Sequence, residues 1–436
     1  MLNDEGRIGK AKFGTRLRCL VVLCSGDFEG CHSKERSDEE SHAGRADTRF
    51  LACTALRLGT TTPQRAVDQV LVCLLAVVCW LLSFAHGLAA EQRWKEAVPG
   101  YEFSFPRDHA AHPDYRIEWW YYTGNLETAD GRRFGYQLTF FRTGIASDPA
   151  NPSRWTVRDL YMAHFAISDF KDQRFYAFEK LNRAGVGWAG AEATHYRVWN
   201  EGWEARLEGD QHVLSAAEGN VQLAVTLTPE KIPVIHGENG VSQKGAAAGN
   251  ASHYYSLTRL RTAGTLTVNG EALTVSGLSW MDHEFGTSFL EPEQVGWDWF
   301  SLQLNDGREL MLFQIRRADG STDPHSSGTL IDPDGHATRL AREDFTLTPS
   351  QPWRSAVSGA SYPMTWKVTA PAHGLHLLVR AAFPGQELQT TASTGVIYWE
   401  GSIVVSGGDA AQGIVGRGYV EMTGYIGKRM GAVFAP

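Results

Sequence analysis

The sequence predicts an all-β protein built from antiparallel barrels or sandwiches. Asp-Gly or Asn-Gly pairs recur at 129–133, 268–272, 305–309, 318–322 and 333–337, and such pairs between β-rich stretches are typical of hairpin turns. The flanking stretches alternate, so that Tyr136, Leu138 and Phe140 fall on one strand face. Long helical periodicity is scarce. Many short strands separated by turns are typical of barrels and sandwiches.

The first ninety residues differ from the rest of the chain. Residues 1–66 are charged and lack a steady period, whereas Val70 to Ala85 is an apolar run followed by small residues. This pattern predicts a signal peptide over 67–90, with cleavage near Ala89 or Ala90, and therefore an exported protein that is periplasmic or membrane-associated. Residues 1–66 are then a dispensable or mis-annotated extension; the alternative is a genuine disordered, membrane-tethered segment.

Charge, cysteine positions and missing motifs exclude several function classes. The net charge of −8 does not suggest a nucleic-acid-binding surface. All six cysteines precede residue 90, so the mature chain has no disulfide framework, thiolate metal site or cysteine nucleophile. No GxSxG elbow or P-loop occurs, and no GxGxxG nucleotide-binding fingerprint stands out. We therefore expect no cofactor.

The stretch "WMDHEFG", 280–286, places three ionisable residues side by side. On a strand, Asp282 and Glu284 share one face with Trp280, and His283 shares the other with Phe285. This division opposes a shared metal ion, so we expect none. It allows an acid–base role for His283, with a hydrogen-bonded core histidine as the alternative.

Two further acids carry the same ambiguity. Glu118 lies on a strand that is aromatic on both faces, which favours a structural ion pair over a catalytic acid. Asp298 shares an apolar face with Phe300, which predicts a raised pKa and a general acid; the alternative is an ion pair with Arg308 or Arg316. The segment "DHAAHPD", 108–114, is predicted to be a surface loop.

Five segments together resemble a known family. "HPDYRIEWWYYTGNL", "SQKG" with "SHYYSLTRL", "GLSWMDHEFG", "GWDWFSLQL" and "GRGYVEMTGY" occur in this order, and they resemble the AttH and carotenoid 1,2-hydratase-like family of predicted secreted hydrolases. The resemblance runs from about residue 97 to the end. It implies two lipocalin-like antiparallel β-barrel domains packed together, at 97–288 and 289–436.

The resemblance also implies a chemistry. Carotenoid hydratases protonate a terminal isoprenoid double bond, and water then captures the cation. His283 matches their histidine, Phe285 stands where they carry tryptophan, and Asp298 is the nearest match to their acid. We therefore expect a lipophilic small-molecule substrate and catalytic residues His283, Asp282, Glu284 and Asp298. The expected substrate-binding residues are aromatic: Trp119, Tyr121, Tyr254, Trp280, Phe285, Trp297 and Trp299.

Two other functions fit the sequence. The first is a non-catalytic lipid carrier or an accessory protein of a membrane ABC-type export system. The second is a carbohydrate-active protein that stacks sugars on its tryptophans.

Overall fold

A computed structural model describes residues 94–145, 153, 155–288, 290–407 and 414–426. The predicted extension at 1–66 and the predicted signal peptide at 67–90 lie outside these residues. Within them, no helix has both the length and the apolar character needed to cross a bilayer. The described part of the chain contains three short 3-10 helices, at Arg107–His109, Arg342–Asp344 and Pro371–His373.

The described residues otherwise form strands in two antiparallel sheets. The first sheet contains β1 Ile117–Glu127, β2 Arg133–Gly144, β3 Asp159–Asp169, β4 Arg174–Arg183, β5 Ala189–Ala191, β6 Arg197–Asn200, β7 Trp203–Glu208, β8 Gln211–Glu218, β9 Val221–Pro229, β10 Val234–Ile235, β11 Ser242–Gln243, β12 Ala251–Val268 and β13 Glu271–Ser288. The second contains β14 Gln294–Leu304, β15 Glu309–Arg317, β16 Ser327–Ile331, β17 Ala337–Leu340, β18 Thr346–Arg354, β19 Ser361–Ala370, β20 Leu375–Ala381, β21 Glu387–Thr390, β22 Val396–Gly407 and β23 Ile414–Met422.

The first sheet curls until its two ends meet. Its strand order is β4-β3-β2-β1-β13-β12-β9-β8-β7-β6-β5, and Ala184 and Ala189 form a bridge between the ends. Lys180 Nζ adds an ion pair to Glu201 Oε2 at 2.5 Å. The barrel interior is filled by alternate strand residues such as Trp120 and Phe165.

The second sheet also curls around its own core. Its order is β17-β16-β15-β14-β23-β22-β20-β19-β18, and Phe300, Trp366 and Trp399 lie inside. Edge strand β18 carries Pro349 and Pro352, which limit pairing with other chains. The predicted all-β fold with two packed antiparallel barrels is confirmed.

The two barrels pack through the outer faces of their central strands. Tyr121 on β1 donates a hydrogen bond to Glu400 Oε1 on β22 at 2.6 Å. Asn125 Nδ2, further along β1, donates to the Gly418 carbonyl on β23 at 3.2 Å. These contacts hold the two faces together and leave a cavity beside them.

Candidate active site

The cavity lies between the two sheets and has mostly aromatic and aliphatic walls. About 90 Å³ is open to the centres of water-sized molecules, which corresponds to roughly seven waters or about 200 Å³ of liquid. The lining residues are Trp119, Tyr121, Gln137, Phe141, His164, Lys244, Tyr254, Asp282, Glu284, Leu290, Trp297, Trp299, Phe313, Ile315, Thr394, Val396, Tyr398 and Glu421.

Strand β13 supplies both carboxyls of the first wall. It pairs with β1 in a register that puts Asp282 opposite Tyr121 and Glu284 opposite Trp119. Because side chains alternate along a strand, His283 points into the first barrel instead. The structure therefore divides the ionisable residues of "DHE" as strand alternation predicts.

Asp282 is a buried carboxyl with three hydrogen-bond donors. Tyr254 Oη donates to Oδ2 at 2.6 Å, Trp280 Nε1 donates to Oδ1 at 2.6 Å, and Ser256 Oγ also donates to Oδ1. Burial raises the pKa of Asp282 to about 7, although these donors work in the opposite direction. Near neutral pH this side chain can therefore give or accept a proton.

Two more acids lie side by side in the second sheet, and one of them, Glu421, lines the cavity. Glu421 accepts a hydrogen bond from Trp297 Nε1 at 2.8 Å, and burial raises its pKa to about 7, with the charge of Asp282 acting in the same direction. Glu400 is its antiparallel partner on β22. Burial and the nearby charge of Glu421 raise the pKa of Glu400 well above its ordinary value, which favours the protonated carboxylic acid.

Positive charge enters the cavity on a loop. Lys244 Nζ lies 3.1 Å from Glu284 Oε1 and 4.1 Å from the centre of the Phe313 ring, which is a cation–π distance. Ser252 Oγ also donates to Glu284. Glu291 accepts hydrogen bonds from the loop amides of Ala246 and Ala247 and thereby fixes the Gly- and Ala-rich segment that follows Lys244.

The opposite end of the cavity is polar and neutral. His164 Nδ1 bonds to Tyr398 Oη at 2.7 Å, and burial lowers the pKa of His164 to about 3. Gln137 Nε2 donates to Tyr398 Oη at 3.1 Å and to Thr139 Oγ1 at 3.1 Å. This end therefore offers hydrogen bonds without charge.

The structure brings most of the sequence-predicted site residues together. Seven of them line the cavity: Trp119, Tyr121, Tyr254, Asp282, Glu284, Trp297 and Trp299. Trp280 lies behind Asp282, and its ring centre is 6.3 Å from that of Trp299. His283, Phe285 and Asp298 do not line the cavity, because each lies on the opposite face of its strand.

His283 belongs to a hydrogen-bonded network inside the first barrel. Its Nε2 lies 2.9 Å from Glu118 Oε1, and its Nδ1 lies 3.1 Å from Tyr255 Oη. Glu118 also bonds to His112 Nδ1 at 2.8 Å and to Arg142 Nε at 3.2 Å. Burial opposes the charged form of Glu118, but His112, His283 and Arg142 outweigh it and hold its pKa below the usual range.

His112, Glu118 and His283 are close enough to share a metal ion, which strand alternation within "DHE" alone does not reveal. Glu118 already accepts hydrogen bonds from both histidines and a bond from Arg142, and a neighbouring guanidinium disfavours a further cation. The geometry therefore fits a buried ion-pair network, the structural alternative for Glu118. The partner of Glu118 is Arg142, and the network lies within one barrel.

The prediction of a surface loop at 108–114 is wrong for its first residues. Asp108 and His109 are buried. Asp108 Oδ2 accepts a hydrogen bond from the Ser104 amide at 2.6 Å, and His109 Nδ1 bonds to Tyr255 Oη at 2.7 Å. Tyr255 is distant in sequence from His109, so local polarity gave the wrong exposure. Phe285 stacks on the His112 ring at 3.6 Å.

Asp298 lies inside the second barrel in an ion pair. Arg316 Nε is 3.1 Å from its Oδ2, and Tyr425 Oη donates to its Oδ1 at 2.9 Å. Burial raises the pKa of Asp298, against the opposing charge of Arg316. The ion pair with Arg316 is one of the two alternatives considered for this residue.

Sequence reasoning missed the other lining residues, among them the polar or charged Gln137, His164, Lys244 and Glu421. Glu421 is recognisable as a strand acid, but its place in the wall follows from the register that pairs it with Trp299. Lys244 sits in a loop whose path depends on Glu291. Neither contact leaves a signal in a single sequence.

The fold and cavity define a class, a two-barrel lipocalin-like protein with buried acids between its barrels. A family comparison agrees, since the AttH-like model matches residues 96–425. The chain belongs to the AttH-like family, as the motifs predicted. No curated protein sequence matches it.

Two solved structures are similar over the same region. A crystal structure described as an AttH protein from Nitrosomonas europaea shares 36% identity, with a TM-score of 0.70, over 76% of this chain and 99% of that one. Kievitone hydratase from Nectria haematococca shares 16% identity, with a TM-score of 0.57, over 76% of this chain and 96% of that one. The second likeness shows the fold alone. The likeness to carotenoid 1,2-hydratases stays a prediction.

Proposed function

We propose that this protein binds a lipophilic molecule in the cavity between its barrels and adds water to it by acid–base catalysis. The observation that carries the proposal is a pair of carboxyls, the buried Asp282 and the half-buried Glu421, that face one aromatic cavity from opposite sheets. Each has a pKa near 7, where a general acid is effective at neutral pH.

The chemistry of hydration matches these groups. A protonated carboxyl gives its proton to one carbon of a double bond, which breaks O–H and forms C–H. The cation on the other carbon is stabilised by the faces of Trp297 and Trp299. Water then forms the C–O bond, and its surplus proton returns to the carboxylate.

Burial supports the acid role in a second way. The charge of Asp282 disfavours the ionised form of Glu421, and the charge of Glu284 disfavours the ionised form of Asp282. This group of acids therefore retains a proton at a pH where isolated carboxyls have lost theirs. A dry aromatic wall also strengthens the field that each dipole exerts on a cation. Hydrolysis of a lipophilic ester or ether is a related reaction that would use the same acid.

The first experiment identifies the ligand. Mass spectrometry of lipophiles that copurify with residues 91–436 should reveal an apolar compound, and acyclic terpenes with terminal trisubstituted double bonds are then incubated with the protein in ¹⁸O water. Hydration predicts a product that gains one labelled water. Retention on polysaccharide would instead favour the sugar-binding function.

A matched pair of variants separates catalysis from carriage. Asp282→Asn should abolish turnover and keep binding, whereas Asp298→Asn makes the same chemical change in the second barrel, outside the cavity, and should keep both. If neither variant changes the product yield, the acid role of Asp282 is refuted. Binding with no turnover in the unaltered protein would favour a lipid carrier.

Export is proposed separately, from the signal-like segment at 67–90. Fractionation of cells expressing the full chain tests it, since a cytoplasmic protein would contradict the proposal. Copurification with membrane ABC-type exporter subunits would support the accessory role.

A further inference from the structure

Two buried polar atoms where β2 packs against β22 have no hydrogen-bond partner among the described residues. They are Gln137 Oε1 and Glu400 Oε2. Gln137 is 1% exposed and Glu400 is fully buried. Buried polar atoms are costly to leave unpaired, and nearly all of them bond to protein, water or ligand. Two such atoms on facing strands point to a common ligand.

The strand packing places the two side chains together. Gln137 Nε2 on β2 donates a hydrogen bond to Tyr398 Oη on β22 at 3.1 Å. Gly135 lies two residues earlier on β2 and faces Ser402 of β22. A Cβ placed on Gly135 would be 2.9 Å from the Ser402 Cβ. Glu400 lies between Tyr398 and Ser402 on the same face of β22. It therefore faces β2 next to Gln137.

The remaining atoms of both side chains are held in place. Gln137 uses its amide nitrogen for Tyr398 and Thr139, and Glu400 uses Oε1 for the Tyr121 hydroxyl at 2.6 Å. Burial and the charge of Glu421 favour the protonated form of Glu400, and a proton on Oε2 makes that atom a donor. Gln137 Oε1 can only accept. One donor and one acceptor side by side suit a small hydroxylic molecule.

We propose that Gln137 Oε1 and Glu400 Oε2 hold the water molecule that the hydration reaction consumes. The water oxygen accepts from Glu400, one of its hydrogens points to Gln137, and the other stays free for the catalytic carboxyl. Glu421 is the strand partner of Glu400 and lies on the cavity wall, so the water sits next to the acid pair. This assignment rests on the proposed hydratase function and names its water site.

The direct test is a high-resolution crystal structure of the protein. An ordered oxygen within hydrogen-bond distance of both Gln137 Oε1 and Glu400 Oε2 is expected, and it should be lost in Gln137→Leu. The assignment is overturned if the two side chains bond to each other, or if the oxygen remains in Gln137→Leu.

A kinetic test uses a terpene alkene found to be hydrated. Gln137→Leu should lower kcat about a hundredfold, since a misplaced reactant costs about that much, and should leave KM within about twofold. Gln303→Leu is the matched control, because this buried glutamine bonds to the Thr258 and Ser279 carbonyls instead; its kcat should be unchanged. Glu400→Gln keeps a donor and should retain most of the rate.

The two proposals fail in different ways. An ordered water at this site in a protein that hydrates none of the alkenes refutes the hydratase function and keeps the water site. Turnover that Gln137→Leu leaves intact refutes the water site and keeps the hydratase function.

Discussion

Replacing Asp282 by asparagine should change how protein stability depends on pH. The folded protein holds the Asp282 proton up to a pKa of about 7, whereas the ordinary value is 3.8. Above the lower value the unfolded chain releases this proton and the folded protein keeps it. The raised pKa therefore costs stability as pH rises through this window, and the penalty is constant above about pH 7.

The size of the effect follows from the shift. Each pKa unit corresponds to about 1.4 kcal/mol, so a shift of roughly three units costs on the order of 4 kcal/mol above pH 7. Asp282 is 4% exposed, so solvent screening reduces this figure little. Asparagine keeps the size of the side chain and does not ionise, so Asp282→Asn should be free of the penalty.

The assay is urea unfolding followed by tryptophan fluorescence at several pH values. Relative to the unaltered protein, Asp282→Asn should gain stability between about pH 4 and about pH 8, by on the order of 4 kcal/mol. Asp210→Asn, on an exposed turn, is the control and should show a flat difference. A flat difference for Asp282→Asn would refute the raised pKa and remove the main support for its acid role.

Three other perturbations test separate parts of the molecule. Trp299→Ala removes a wall of the cavity and should weaken binding of a fluorescent lipophile at least tenfold, as measured by titration. His283→Ala removes one buried partner of Glu118 and should lower the free energy of unfolding by about 2–4 kcal/mol. The affinity for the lipophile should not change. Lost affinity with unchanged stability would place His283 in the site. Glu291→Ala removes the acceptor for the Ala246 and Ala247 amides, so hydrogen exchange of these amides should accelerate; unchanged exchange would mean that the loop is fixed by other contacts.

The local sequence pattern predicted which side chains share a face of a strand, because side-chain alternation needs no tertiary information. It separated Asp282 from His283, and Trp299 from Asp298, onto opposite faces, as the structure has them. It could not indicate which of the two faces borders the cavity. The expectation that His283 leads the chemistry depended on the resemblance, whereas the cavity geometry favours Asp282.

Contacts between distant segments explain what the sequence left out. Glu421 becomes an acid of the site because β23 pairs with β14, and Glu400 becomes one because β22 pairs with β23. Burial of Asp108 depends on Ser104 and on its position over the first barrel. The positions of these acids depend on strand register and on packing between distant segments. These features cannot be read from the local pattern of a single sequence.

The cavity takes its walls from both barrels, and each barrel packs around a core of its own. The residues that shape the cavity are therefore separate from those that form the two cores. Exchanging Trp299 or Phe313 alters the space between the barrels, while the interior packing around Trp120 and around Trp366 is untouched. A slight tilt of one barrel against the other widens or narrows the gap without breaking a strand pair. Substitutions in the cavity wall can therefore change ligand preference while the protein still folds, since the two properties depend on separate sets of side chains.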